Sequence, residues 1–361
     1  MSSTVYKKWI SVWLLVGLFM VLIQIVIGGI TRLTDSGLSI TEWNIIKGTL
    51  PPLNEAQWNE AFQKYKDHTV QFKAINSDMD MGAFKFIYFW EYFHRLWART
   101  MGFVFLFPFL FFLYKKAFDA YLIKQLIIIV LLAAFAATFG WIMVSSGIDS
   151  EHYVWVNAYK LTIHLSIAVS LLLVLSWTIF KVKFDNFKFT LKYARFSYLI
   201  FTIIVLQIIM GGFMSGMKAA LVAPYYPHMG FNSDGSFYLI SPILLDSSEW
   251  KFSHLTDYYN NSFAPSLVQF VHRSLAFILL INIPYFFYLN RELKDKLWLR
   301  VRTIIISLLL IQFSLGVLTV LYSLNHFYFP ILGVLHQFFG IILILSFLFV
   351  LYITHRNKTL I

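Results

Sequence analysis

Apolar runs long enough to cross a hydrocarbon layer dominate this chain. A core ~30 Å thick needs about 20 consecutive apolar residues at a helical rise of ~1.5 Å each. Eight stretches meet that requirement and predict membrane-spanning helices: 9–28, 88–114, 122–146, 157–180, 194–216, 265–289, 301–323 and 328–353. Polar residues collect between them. Two connections are long, roughly 29–87 and 217–264, and hold Trp43, Trp58, Trp250, Pro51, Pro52, Pro224 and Pro227. Connections of that length usually carry function or cover something. From Thr34 to Trp43, polar and apolar residues alternate at near-helical spacing. That segment reads either as a short amphipathic helix along the interface or as a surface loop.

Composition sharpens the class. Of 361 residues, 59% are hydrophobic and 13% charged, where a soluble domain has roughly half and a quarter. The expected fold is an all-α polytopic membrane protein. The net charge of +11 does not point to nucleic acid, because the cations sit in short connections. One set carries Lys7, Lys8, Lys115, Lys116, Lys124, Lys181, Lys183, Lys188, Lys192, Arg195, Arg291, Lys294, Lys296, Arg300, Arg302, Arg356 and Lys358. The opposite set has mixed or little charge. Positive charge stays inside, so both termini are expected to be cytoplasmic and the protein to sit in the cell (inner) membrane. No small-residue cleavage site follows the first apolar run, which reads as a retained helix. The chain has no cysteine. That excludes disulfides, thiolate metal sites, iron–sulfur ligation and covalent thioether haem.

An internal repeat organises the spans. Gln24-x3-Gly28-Gly29 returns 183 positions later as Gln207-x3-Gly211-Gly212. His94-Arg95 returns after 178 positions as His272-Arg273. Phe139-Gly140-x3-Val144 resembles Leu315-Gly316-x3-Val320, 176 positions on, and His164 matches His336, 172 on. Each half holds four spans, an even number, so both halves enter the membrane in the same sense. The expectation is two four-helix bundles, residues 1–185 and 186–361, related by a pseudo-twofold along the bilayer normal. The glycine pairs are expected to let helix ends pack closely or turn sharply.

His94, His164, His272 and His336 fall one per span, on the second and fourth helices of each half, at similar expected depth. An imidazole inside a bilayer is costly unless its nitrogen is used. A zinc or copper ion wants three or four converging ligands, and each half offers two. A haem brings four nitrogens of its own and needs two axial partners, so each pair suits one haem iron. His68, His152, His228, His254, His326 and His355 fall in connections or at helix ends. They read as structural or solvated, with His152, His228 and His326 nearest the outer mouth. Arg32, Arg95, Arg99, Lys160 and Arg273 are candidate partners for haem propionates; Lys160 can equally snorkel to headgroups. Glu91 shares a helix face with His94, and its counterpart is Gln269. A carboxylate in one half alone can move a proton or stabilise developing positive charge. It can also pair with Arg95 or Arg99.

The segment Gly28-Gly29-Ile30-Thr31-Arg32-Leu33-Thr34-Asp35-Ser36-Gly37-Leu38-Ser39 resembles the heme A synthase family. So do Glu91-Tyr92-Phe93-His94-Arg95, Phe270-Val271-His272-Arg273 and Leu335-His336-Gln337. The resemblance implies an oxidoreductase acting on a CH group, turning the C8 methyl of haem O into the formyl of haem A. Two successive oxidations are implied, through an alcohol and a hydrated aldehyde. It implies four histidine haem ligands, Glu91 as the essential glutamate, substrate haem in the first half and a haem b in the second. It further implies work beside haem O synthase and cytochrome oxidase assembly, with an electron-transfer partner. Some bacterial members carry a cysteine pair in the first outer loop. This chain has none and looks like the mitochondrial and proteobacterial-type branch, which leaves no thiol role. Two other classes stay open on the residues: a two-haem membrane cytochrome that only passes electrons, which the repeat and histidines fit equally, and, more weakly, a transporter.

Overall fold

The computed structural model describes residues 2–42, 47–148, 154–184 and 191–355. Trp43, His152, Lys188, Arg356 and Lys358 lie outside them. In chain order the helices are α1 (Ser2–Leu33), α2 (Glu55–His68), α3 (Val70–Ile75), α4 (Met81–Tyr114), α5 (Ala120–Ile148), α6 (Ala158–Lys183), α7 (Ala194–Gly216), α8 (Pro242–Leu245), α9 (Phe252–Thr256), α10 (Phe263–Leu289), α11 (Lys296–Leu321) and α12 (Tyr328–His355). Among them, eight are long and apolar enough to cross a membrane: α1, α4, α5, α6, α7, α10, α11 and α12. Asparagine or aspartate marks the start of most of these spans, where the first backbone N–H groups lack helical partners. Asp80 accepts from Ala83 N at 2.7 Å, Asp119 from Leu122 N at 2.7 Å, and Asn157 from Tyr159 N at 3.0 Å. Asp295 accepts from Leu297 N at 2.7 Å and Asn325 from Tyr328 N at 2.9 Å.

The chain forms two compact units, Met1–Lys183 and Phe184–Ile361. Within the first, α1 packs on α4 and α6, and α5 packs on α6. Within the second, α7 packs on α10 and α12, and α11 packs on α12 and α10.

The boundaries differ from expectation at two places that matter. The first span runs on through Gly28 and Gly29 to Leu33. It ends where Asp35 turns left-handed, at φ 51°, and Ser36 N donates to Thr31 O at 2.9 Å. In the second unit α7 is followed by Lys218, also left-handed at φ 49°, 183 positions after Asp35. The stretch from Thr34 to Ile40 forms turns and not an amphipathic helix. The long first connection instead folds into α2 and α3, and α4 begins at Met81. Its added first turns are held by apolar contacts, since Phe84 and Ile87 join Phe62 and Tyr65 in one buried cluster. His94 therefore lies thirteen residues into its helix.

The second long connection carries α8, α9 and a small antiparallel hairpin, β1 (Gly230–Phe231) with β2 (Phe237–Tyr238), pairing Gly230 with Tyr238. The hairpin is a local departure from an all-helical chain.

Candidate functional site

Each of the four span histidines packs against a glycine on a neighbouring helix of its own unit. A Cβ built on Gly28 of α1 would meet His94 Cε1 at 3.1 Å, and one on Gly140 of α5 would meet His164 Cε1 at 3.0 Å. In the second unit the partners are Gly211 of α7 with His272 at 3.5 Å and Gly316 of α11 with His336 at 2.8 Å. These are the glycines of the internal repeat. A Cβ at Gly28, Gly140 or Gly316 would crowd the imidazole, while one at Gly211 would only touch it.

Hydrogen bonds repeat as well. His164 Nδ1 meets the Ala136 carbonyl at 2.9 Å, and His336 Nδ1 meets the Gln312 carbonyl at 3.1 Å. A ring nitrogen facing a carbonyl carries the proton, which leaves Nε2 with its lone pair for a metal. On the other helices, the Gln24 amide lies 3.2 Å from His94 Nε2 and the Gln207 amide 3.3 Å from His272 Nε2. The Oε1 atoms of Gln24, Gln207 and Gln312 are buried without a hydrogen-bond partner.

The His272 and His336 ring centres are 6.3 Å apart, with planes at 71°. An imidazole nitrogen sits about 2 Å from a bound metal, and its ring centre lies about 1 Å further back. Two imidazoles on opposite sides of one iron thus have centres about 6 Å apart. In the first unit His94 of α4 and His164 of α6 sit on helices that both pack on α1. Among the described residues, no group of three or more His, Cys, Asp or Glu side chains gathers as a metal site. The donors present therefore fit a group that completes its own coordination, as haem does.

Glu91 and Arg95 act on the segment that follows α1. Glu91 is 3% exposed. Its Oε2 accepts from Ser39 N at 2.7 Å, Ser39 Oγ at 2.8 Å and Ile40 N at 2.9 Å. Its Oε1 accepts from Arg95 at 2.5 Å, so the pairing with Arg95 forms. Arg95 also donates to the carbonyls of Ile40 and Glu42, both at 3.2 Å. Gln269 and Arg273 treat the segment after α7 alike. Gln269 donates to Ala223 O at 2.9 Å, while Arg273 donates to Ala223 O at 3.0 Å, Tyr225 O at 2.7 Å and His228 O at 3.0 Å. Ala223 and Tyr225 follow Ile40 and Glu42 by 183 positions each. Both units thus strap down the segment after their first span with one arginine across alternate carbonyls. They differ in sign beside it: a carboxylate gripping amide N–H groups in one, an amide gripping a carbonyl in the other.

Residues 11–348 match the COX15-CtaA family, described as cytochrome oxidase assembly protein. The chain belongs to the COX15-CtaA family. It is 38% identical to a heme A synthase of Flavobacterium psychrophilum over 94% of this chain and 96% of that protein. It is 36% identical to a heme A synthase of Nitrosospira multiformis, covering 87% and 86% of the two, and 36% to one of Pelagibacter ubique, covering 97% and 98%.

In this COX15-CtaA chain the remaining candidates are more dispersed. Arg32, in the last turn of α1, pairs with Asp35 at 3.1 Å and is 11% exposed. Arg99 lies on α4 one turn beyond Arg95. Lys160 sits in the first turn of α6, where its backbone N–H donates to Asn157 at 3.2 Å. The sequence repeat already contained Gln24 and Gln207, but only the structure shows that they face imidazoles. The sequence pattern does not single out Gln312, Ala136, Ile40 or Ala223, and Ser39 enters only as the end of the first motif. All five contribute main-chain atoms, and Ala136, Ile40 and Ala223 contribute nothing else, which no residue-type pattern can flag.

Proposed function

We propose that this chain is a heme A synthase: an oxidoreductase that converts haem O to haem A by two successive oxidations of the C8 methyl. Residues 1–185 hold the substrate haem through His94 and His164. Residues 186–361 hold a haem b through His272 and His336. The halves are two four-helix bundles related by a pseudo-twofold, and the chain crosses the inner membrane with both termini cytoplasmic. Haem O synthase, the cytochrome oxidase assembly machinery and an electron-transfer partner are its neighbours in the pathway. The carrying observation is the fourfold recurrence of an imidazole seated on a repeat glycine, with Nδ1 of both fourth-helix histidines tied to a main-chain carbonyl.

Bound haem b supplies one-electron redox chemistry; the chain's own residues bind, orient and move protons. The main-chain acceptors fix which imidazole nitrogen is presented. Arg32, Arg95, Arg99, Lys160 and Arg273 would offer cationic donors to propionates, and Arg95 and Arg273 at the same time brace the straps. Glu91 is the group that differs between halves. Oxidising a methyl to a formyl removes four electrons and releases protons, and a positioned carboxylate can take one. Glu91 accepts three hydrogen bonds on Oε2 and one on Oε1. Proton uptake on Oε2 therefore requires one contact to open, which couples the Ser39–Ile40 strap to turnover.

The test is turnover with added haem O, aerobic and anaerobic, with products resolved by mass. Haem A or the alcohol is expected. Unchanged haem O under both conditions, in protein that retains haem, would refute the assignment. Glu91→Gln is expected to keep haem and to lower product formation at least ~100-fold, the scale of a lost acid–base group. Normal haem A output from that variant would remove Glu91 from the mechanism.

A further inference from the structure

The fourth-helix histidines are oriented by the same main-chain bond but differ in what flanks them. In the second unit the residue providing the carbonyl is Gln312, and its side-chain amide reaches back to lie 3.3 Å from His336 Nε2. In the first unit the same place is held by Ala136, which has no amide to offer. The equivalence rests on two independent facts. Ala136 and Gln312 are 176 positions apart, the spacing of Gly140 and Gly316, and both present their carbonyl to a matched histidine.

The helix opposite shows the matching adjustment. A Cβ on Gly340 of α12 would come within 3.0 Å of the Gln312 amide nitrogen. The corresponding residue of α6, 172 positions earlier, is Ala168. Glycine leaves room for the glutamine in one unit, while the other unit has alanine at both matched positions.

We infer that Gln312 is a positioning residue that locks His336 as a permanent axial ligand, and that Ala136 leaves His164 free to turn. The inference rests on the haem assignment above. An imidazole on a single carbonyl hydrogen bond still rotates about its last torsion, because that bond tolerates a range of directions. A side chain lying along the ring removes the rotation. With a metal on Nε2 the Gln312 amide would give up that nitrogen, and its side chain would brace the ring by packing in the room left by Gly340. An iron with two fixed imidazoles has no open position and is suited to passing electrons. An iron with one releasable imidazole can admit another ligand. The chain thus separates an electron-carrying site from a reactive one through one side chain beyond the ligands.

The test uses the full-length holoprotein with carbon monoxide as probe, read by the absorption spectrum of the ferrous haem. Gln312→Ala is expected to make the second-unit haem reactive to carbon monoxide, raising its apparent affinity about tenfold or more, the scale of outer-shell changes at metal sites. Gln312→Leu, which restores bulk without the amide or a ligating atom, is expected to return the unreactive spectrum. Ala136→Gln is expected to lower carbon monoxide binding at the first-unit haem. If Gln312→Ala loses its haem, rescue of haem content by Gln312→Leu supports the lock, and failure of that rescue overturns it. An unchanged spectrum and carbon monoxide affinity in Gln312→Ala overturns it as well. His336→Ala is the control for the underlying assignment. If that variant keeps the low-spin haem signal of the second unit, the assignment itself fails. If it loses the signal while Gln312→Ala behaves as wild type, only the present inference fails.

Discussion

Gly316→Ala places a methyl carbon 2.8 Å from His336 Cε1 and 3.4 Å from its Nδ1. Carbon atoms rest at about 3.5–4.0 Å, so the imidazole must retreat by roughly 0.7 Å. A metal–nitrogen bond tolerates about 0.2 Å of displacement. The shift exceeds that, and the fixed carbonyl of Gln312 prevents the ring from simply sliding. Overpacking costs about 1–3 kcal/mol, which corresponds to roughly 5- to 150-fold weaker haem binding. Alanine is also a better helix former than glycine by about 1 kcal/mol, so a loss cannot be blamed on α11 failing to form. The same substitution at the other three positions gives a graded series, because the contacts are 3.0 Å at Gly140, 3.1 Å at Gly28 and 3.5 Å at Gly211. The haem-to-protein ratio and low-spin spectrum of each purified variant are the readout. Gly316→Ala is expected to lose most, Gly140→Ala and Gly28→Ala an intermediate amount, and Gly211→Ala almost nothing. Full haem content in Gly316→Ala, or a loss in Gly211→Ala as large, would show that these glycines do not seat the ligands.

Two further outcomes follow from the straps and the outer cluster. Arg273→Lys gives up a planar fork spanning three carbonyls. Hydrogen bonds to charged groups contribute about 1.5–3 kcal/mol, so limited proteolysis within 217–262 should quicken by an order of magnitude or more. Unchanged protection would mean the segment is held otherwise. Tyr65→Phe removes an O–H that donates to Gln71 at 3.0 Å and accepts from Asn76 at 2.8 Å, and should destabilise the α2–α3 region by about 1–2 kcal/mol. Burial pushes the Tyr65 phenol up to about 12, so its stabilising contribution is complete below pH ~10 and fades as pH rises towards 12. Tyrosinate absorbance should lose one late-ionising tyrosine in Tyr65→Phe; identical alkaline titrations would refute this.

The spans, the repeat and the four histidines were legible because hydrophobic length and the cost of a buried imidazole are properties of residue type. The end of α1 was not. Gly28-Gly29 reads as a site of close packing or of a sharp turn, and the helix continues because Gly28 packs against the His94 ring and Thr31 bonds the Ile27 and Trp90 carbonyls. Tertiary packing overrode local propensity there. The early start of α4 was hidden for the same reason, since Phe84 and Ile87 gain their burial from α2, far away along the chain. Glu91 was visible as a charge, but its partners Ser39 N and Ile40 N were not, because backbone donors carry no signature of their own.

The bonds from His164 and His336 to main-chain oxygens have an evolutionary corollary. A point substitution can delete a side-chain acceptor, but it cannot delete a peptide carbonyl. The residue that carries the carbonyl can therefore be alanine in one unit and glutamine in the other, and the bond to the imidazole persists in both.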